Sequence, residues 1–463
     1  MRFNNLNDWL TWQESLNPKE IDLGLDRVAR VLAEMGLSNS FDCPLITVAG
    51  TNGKGSVVAT LEAIAMAAGL NVCSYTSPHI FRYNERIKIN GHAVDDDDLC
   101  EAFERIDQSR GELQLTYFEF GTLAAIDLFF RRQPDLVILE VGLGGRLDAV
   151  NIMDADISVL TSVAIDHVDW LGDDRESIGF EKAGIFRSAQ TVICGDPEPP
   201  ASVIERAEQL QCEFVQLQQR YHVVNESSTG DDFAGRWMLK SCYGDINDLP
   251  KPSLSGDFQK INAATAILAL QGLNKKGLLF SVSESHDQLN QAIKSGLGKI
   301  ILPGRFQQIN ADPQVYVDVA HNPQAAKALA SQLKEVRFSG QNKTWAIIAM
   351  LSDKDIEGVI DTVSDCIDHW CFAGLENVTR GLSVKDFVER LPPSIGALPG
   401  ESGEQLADEF GANQCTMLSD TVMVANTVKK ACELVLSKVD KDDSIIIFGS
   451  FYTVAEAMQF FQR

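Results

Sequence analysis

The passage from an apolar run into a glycine-rich turn at residues 45–56 constrains the fold most. Leu45-Ile46-Thr47-Val48 is apolar without alternation, as expected of a strand covered on both faces. It breaks at Gly50-Thr51-Asn52-Gly53-Lys54-Gly55-Ser56. Helical spacing follows from Ser56 to Ala68, Gly69 supplies a C-cap, and Val72 to Tyr75 is strand-like. Strand, tight loop, helix and strand in this order make a βαβ unit, which points to an α/β fold. The turn also has a chemistry. Free N–H groups at a helix start suit an anion, the helix dipole favours negative charge there, and glycines let a phosphate approach. Lys54 adds a point charge toward the outer phosphates. The run departs from the general pattern GxxxxGK[ST], because Val48 takes the first glycine's place and Gly55 follows the lysine. The alternative is a glycine-rich turn with an exposed lysine.

The same alternation recurs along the chain. Asp135 to Val141, Ile157 to Thr161 and Thr191 to Cys194 read as buried strands, and Asn262 to Leu273 as helix. Residues 20–36 read as an amphipathic helix, with Leu25, Val28, Val31, Leu32 and Met35 at helical spacing. Residues 222–256 are shorter in pattern and polar, and read as a small β excursion. Gly296, Gly298 and Pro303-Gly304 mark a boundary. Strand candidates resume at Phe306–Ile309, Val315–Val319, Trp345–Met350, Trp370–Ala373 and Ser444–Phe448. The expected architecture is an N-terminal domain over 1–298 with a mostly parallel, P-loop-type sheet. A smaller Rossmann-like α/β domain follows over 299–463.

Composition narrows the function classes. The chain of 463 residues has a formal net charge of −25, the opposite of what a nucleic-acid binder uses to displace counterions. None of its ten cysteines pairs in CxxC spacing, and the start MRFNNLNDWLTWQ has no apolar core of a secretory leader. No stretch approaches the roughly 18 apolar residues of a membrane helix. The expectation is a soluble, cytoplasmic protein with reduced thiols and small-molecule ligands.

A phosphate cradle commonly works with Mg2+, which prefers oxygen ligands. Candidates belong at the C-terminal ends of neighbouring strands, where α/β folds bind ligands. Ser77 follows the strand 72–75. Glu140 ends an otherwise apolar run, and Asp166-His167 follows the strand 157–161. Taken alone, His167 reads more readily as a structural histidine; three polar groups after three different strands favour the metal reading. Gly142-Leu143-Gly144-Gly145-Arg146-Leu147-Asp148 lacks the third glycine of a dinucleotide fingerprint, since Leu147 stands there. It is either a tight structural turn or a loop approaching a ligand. By spacing alone Lys182 reads as a solvated helical lysine. Arg305 and Asp318 are either structural or nucleotide contacts of the second domain.

Several motifs stand in one order: GTNGKGS, TSPH, LEVGLGGRLDAVN, DHVDWLG, EKAGIFR, LPGRFQ and DVAHNP. In this the chain resembles the folylpolyglutamate synthase family of the Mur ligase superfamily, and within it the bifunctional bacterial branch that also acts on dihydropteroate. Gly55 directs the resemblance to folate ligases, because cell-wall Mur ligases resemble GTNGKTT. Phe258 departs from the histidine that many superfamily members carry. The resemblance implies an ATP-dependent amide ligase joining L-glutamate to dihydropteroate and to reduced folates through an acyl phosphate. It implies ATP-phosphate binding by Thr51, Asn52, Gly53, Lys54, Gly55 and Ser56, with Asn262, Arg305 and Asp318 as further nucleotide contacts. It implies two Mg2+ ions on Ser77, Glu140, His167 and Lys182, the last as an N6-carboxylysine. Lys54, Lys182 and His167 would be catalytic. Asp22, Leu23, Gly24, Leu25, Thr116, Tyr117, Phe118, Glu119, Leu147, Asp148 and Ala149 would hold the pterin substrate, where Tyr117 and Phe118 offer aromatic faces to a flat ring. A monomer is expected. A Mur-type ligase acting on another acceptor and a nucleotide-hydrolysing switch protein are the alternatives.

Overall fold

In the computed structural model, residues 2–17, 19, 21–225, 235–280, 285–336, 342–395 and 415–462 are described. They divide into two compact units, one of residues up to 253 with 257–301, the other of 254–256 with 302 onward.

The first unit is built on β1 (Leu45–Ala49), β2 (Val72–Tyr75), β3 (Ile87–Ile89), β4 (His92–Ala93), β5 (Leu136–Glu140), β6 (Ile157–Leu160), β7 (Thr191–Cys194) and β8 (Glu213–Gln216). Their order is β4-β3-β2-β5-β1-β6-β7-β8. All pair in parallel except β3 and β4, an antiparallel edge hairpin. Every residue of β1 and β5 is buried, which explains why neither alternates. Leu45, Tyr75, Val137 and Leu139 pack into a core with the helices Leu6–Leu16, Asp26–Glu34, Asp96–Arg110 and Tyr117–Arg132. The helices Lys54–Ala67, Phe258–Lys275 and Ser285–Leu297 pack together, the first two also on the sheet. β5 flanks β1 on one side and β6 on the other, so the strand order reverses at β1. A crevice for ligands opens at such a switch point, beyond the carboxyl ends of the strands.

Three short strands, β9 (Tyr221–Asn225), β10 (Trp237–Ser241) and β11 (Ile246–Leu249), form a separate antiparallel sheet. This is the expected β excursion, of which residues 226–234 lie outside the described residues.

The second unit holds β12 (Gln307–Ala311), β13 (Gln314–Asp318), β14 (Thr344–Ile348), β15 (His369–Ala373), β16 (Cys415–Met417), β17 (Val422–Ala425) and β18 (Ser444–Phe448). The order is β12-β13-β18-β14-β15-β17-β16, parallel in the middle with an antiparallel strand at each edge.

Some boundaries differ from the sequence reading. The helix expected over 20–36 is Asp26–Glu34. Residue 20 lies outside the described residues, and 21–25 are not helical. The Asp22 carbonyl accepts an Arg27 guanidinium N–H instead of a helical amide. Gly36, at φ +71°, supplies the left-handed residue that ends the helix. The helix after the glycine-rich turn begins at Lys54 rather than Ser56, so Gly55 and Ser56 belong to its first turn.

Candidate active site

The glycine-rich turn gets its shape from two close approaches. At Gly50 (φ +146°) a Cβ would lie 1.8 Å from the Thr161 hydroxyl oxygen, and at Gly53 (φ +90°) 2.6 Å from Asn262 Oδ1. Only glycine fits either place. The turn is then stitched to the chain leaving β6. Thr51 N–H donates to the Ser162 carbonyl at 2.7 Å. The Thr51 hydroxyl accepts from Ala164 N–H at 3.0 Å and donates to the Ala164 carbonyl at 3.1 Å. The Asn52 carbonyl accepts from the hydroxyls of Thr161 at 2.6 Å and Ser162 at 3.2 Å. Lys54 folds back over the turn, its Nζ donating to the carbonyls of Gly50 at 3.0 Å and Thr51 at 3.2 Å. Thr161 and Ser162 were not among the expected site residues. Their only sequence signal is hydroxyls at the end of a buried strand.

Lys182 corrects the reading made from spacing alone. It is only 5% exposed, and its Nζ donates at 3.2 Å to the Gly50 carbonyl, the same oxygen that Lys54 uses. Burial, and then the Lys54 charge, push its pKa down to about 7. Its helix, Arg175–Ala183, ends against the 142–148 turn: a Cβ on Gly145 would lie 2.8 Å from the Glu181 carbonyl oxygen and 2.9 Å from that of Lys182.

The other candidate metal ligands follow three strands of the sheet: Ser77 after β2, Glu140 at the end of β5 and His167 after β6. Glu140 ends β5, is 4% exposed, and accepts from Ser77 N–H at 3.4 Å. His167 opens the short helix Val168–Leu171 in a left-handed conformation (φ +53°). Among the described residues no three His, Cys, Asp or Glu side chains gather as a metal-binding group. The expected quartet has two such residues, with a serine and a lysine. A buried carboxylate and a hydroxyl suit a hard divalent ion that keeps several of its waters, an imidazole suits it less well, and an ammonium does not ligate one. Lys182 joins such a set only if it carries an acidic group.

The three segments expected at the pterin site converge. A Cβ on Gly142 would lie 2.6 Å from the Phe118 ring and 3.3 Å from Asp148 Oδ2. The Asp148 carboxylate accepts from the N–H groups of Gly142 (3.0 Å), Leu143 (2.8 Å) and Val150 (3.0 Å). Burial pushes its pKa up to about 6, against the pull of these donors and of Lys54. Thr116 and Glu119 cap the helix Tyr117–Arg132 reciprocally. Arg27, which the sequence reading did not single out, meets Asp22 Oδ2 at 2.8 Å and Glu119 Oε1 at 3.1 Å. Tyr117 packs edge-on against Tyr83 at 5.3 Å, and Arg86 lies over both rings. Arg86 Nε donates to His79 Nδ1 at 2.9 Å, and burial with the Arg86 charge pushes the His79 pKa down to about 4.

In the second unit, the Asp318 carboxylate accepts from Phe306 N–H at 2.8 Å and Ala320 N–H at 2.7 Å. Burial raises its pKa, and the Arg305 charge opposes that. Asp318 thus fixes the turn that presents Arg305, whose guanidinium lies 5.3 Å over the Phe451 ring.

Residues 48–270 match the model of the Mur ligase middle domain, and 304–451 that of the Mur ligase glutamate ligase domain. The chain is 41% identical to a dihydrofolate synthase/folylpolyglutamate synthase of Escherichia coli (strain K12), over 98% of this chain and 95% of that protein. It superposes with a TM-score of 0.82 on E. coli FolC in complex with DHPP and ADP, at 39% identity, over 99% of this chain and 98% of that one. A bifunctional folylpolyglutamate synthase/dihydrofolate synthase with Mn, AMPPNP and L-glutamate bound gives a TM-score of 0.80 at 38% identity, over 99% of this chain and 98% of that one.

Proposed function

The chain belongs to the dihydrofolate synthase/folylpolyglutamate synthase family of Mur ligases, and from that premise we propose how its residues make the amide bond. It is an ATP-dependent ligase that adds L-glutamate to the carboxylate of dihydropteroate and of reduced folates. A carboxylate does not accept an amine at neutral pH, because its leaving group is poor. Transfer of the ATP γ-phosphoryl group gives an acyl phosphate. The glutamate amine attacks it, a tetrahedral intermediate forms, and phosphate leaves. The protein's share is positioning and charge stabilisation.

One observation carries this reading: Lys54 and Lys182 converge on the Gly50 carbonyl, at the turn between β1 and its helix. Residues 51–56 hold the ATP phosphates, and Lys54 neutralises the phosphoryl group in transit. Asn262, packed against Gly53, keeps the turn open to the nucleotide. Arg305 and Asp318 serve as further nucleotide contacts, and the pterin lies against Phe118. Lys182 acts as an N6-carboxylysine. Its lowered pKa leaves much of the amine uncharged near neutrality, as attack on carbon dioxide requires, and the carbamate then has the oxygen a metal needs. Ser77, Glu140, His167 and that carbamate would hold two Mg2+ ions, which supply positive charge to the phosphates. The enzyme works as a cytoplasmic monomer.

The test is phosphate release with ATP, Mg2+ and L-glutamate, run with dihydropteroate, with tetrahydrofolate and with neither. Release in both substrate reactions and not in the blank is expected. Release with tetrahydrofolate alone would remove the dihydropteroate activity. Release without an acceptor would identify a nucleotide switch.

A further inference from the structure

Residues 21–25 have no regular secondary structure, so something else must give them a defined shape. Arg27 does this. Its guanidinium meets the Asp22 carboxylate at 2.8 Å and also donates to the Asp22 carbonyl. It reaches Glu119 at 3.1 Å. Glu119 is itself immobile: its carboxylate accepts from Thr116 N–H at 2.7 Å, and its side chain is 4% exposed. One side chain therefore joins Asp22 to Glu119, which lies 92 residues beyond Arg27 in sequence. Its placement runs against local preference. Arg27 lies in the first turn of the helix Asp26–Glu34, where the helix dipole disfavours a cation. The two carboxylates outweigh that cost. Lys19 also meets Asp22, at 3.4 Å, but it does not reach Glu119 in any hydrogen bond or ion pair among the described residues, so the link between the two segments is the guanidinium.

We propose that Arg27 is the positioning residue of the pterin site, holding Asp22–Leu25 in register with Thr116–Glu119. The proposal rests on the reading of those two segments as pterin-binding. Arg27 acts through Asp22 and Glu119 and takes no part in phosphoryl transfer. A guanidinium can meet two carboxylates and a carbonyl at once because its five donors form a planar fork. A lysine ammonium is a single point charge.

The test is steady-state kinetics and equilibrium binding of dihydropteroate with full-length wild type, Arg27→Gln and Arg27→Lys. In Arg27→Gln the KM and Kd for dihydropteroate rise roughly tenfold or more, as the loss of hydrogen bonds to charged groups implies. KM for ATP and kcat at saturating dihydropteroate stay at wild-type values. Arg27→Lys recovers part of the affinity, and it is the variant to read if Arg27→Gln does not fold. Dihydropteroate binding unchanged in both variants overturns the proposal. So does a loss shared equally by ATP and dihydropteroate, which is what general destabilisation gives. Wild type that does not bind dihydropteroate removes the underlying reading, and the proposal with it.

Discussion

Lys54 and Lys182 share one carbonyl oxygen, and the Lys54 charge adds to burial in disfavouring an ammonium at Lys182. ATP phosphates would stabilise the first, and a carbamate would turn the second into an anion. Lys54→Ala should keep the fold and lower turnover by at least about a hundredfold, as loss of a preorganised charge does. Phosphate release together with circular dichroism checks this, and normal turnover would remove the phosphate cradle. Lys182→Ala should also be nearly inactive, with part of the activity returned by a small added carboxylate such as acetate. Wild-type activity in the plain variant would refute the carboxylysine. Asp148 gives a pH signature. Its pKa is raised from 3.8 to about 6, so the folded state binds its proton more tightly than the unfolded chain does. Its contribution to stability is fully present below about 4 and is lost as pH rises to about 6. The stability of wild type relative to Asp148→Asn should therefore fall by roughly 3 kcal/mol across that window. Denaturant unfolding at several pH values measures it, and a flat difference would mean that the three N–H donors keep Asp148 ionised throughout.

The helix Tyr117–Arg132 opens with the Thr116 hydroxyl accepting from Glu119 N–H at 3.2 Å and the Glu119 carboxylate accepting in return from Thr116 N–H. Thr116→Ala should cost about 1 kcal/mol of stability, the usual worth of an N-cap. Unfolding by denaturant reads this directly, and no loss would mean that Glu119 alone holds the helix start. The edge hairpin of β3 and β4 turns at Asn90-Gly91, with φ of +51° and +75°. Asn-Gly is the strongest short signal for such a turn. The strands it joins are three and two residues long, too short to show alternation in the sequence. The apolar strand β17 is likewise not legible from the sequence, as four residues seldom distinguish a buried strand from a helix segment.

At the scale of the molecule, a net charge of −25 means self-repulsion at low ionic strength. The unfolding temperature should rise as sodium chloride is added toward about 0.15 M, where the screening length is near 8 Å. A scan at low and moderate salt tests this, and no change would show that the acidic groups are locally balanced. What was legible from the sequence alone was local. The unalternating run at 45–48 and the glycines after it determined a parallel α/β sheet with a tight glycine turn at a helix start, because strand burial and turn geometry depend on neighbours a few residues away. Glu140 stood out for the same reason, as a carboxylate in an apolar strand. Lys182, Thr161 and Arg27 did not stand out. Their surroundings come from partners far along the chain, such as Gly50 at a separation of 132 residues from Lys182. Whether a lysine is solvated or buried depends on what the fold packs over it, and periodicity is blind to that. Tertiary structure alone decided that two lysines meet at one carbonyl and that one arginine joins two distant segments, because burial and charge pairing are properties of three-dimensional neighbours.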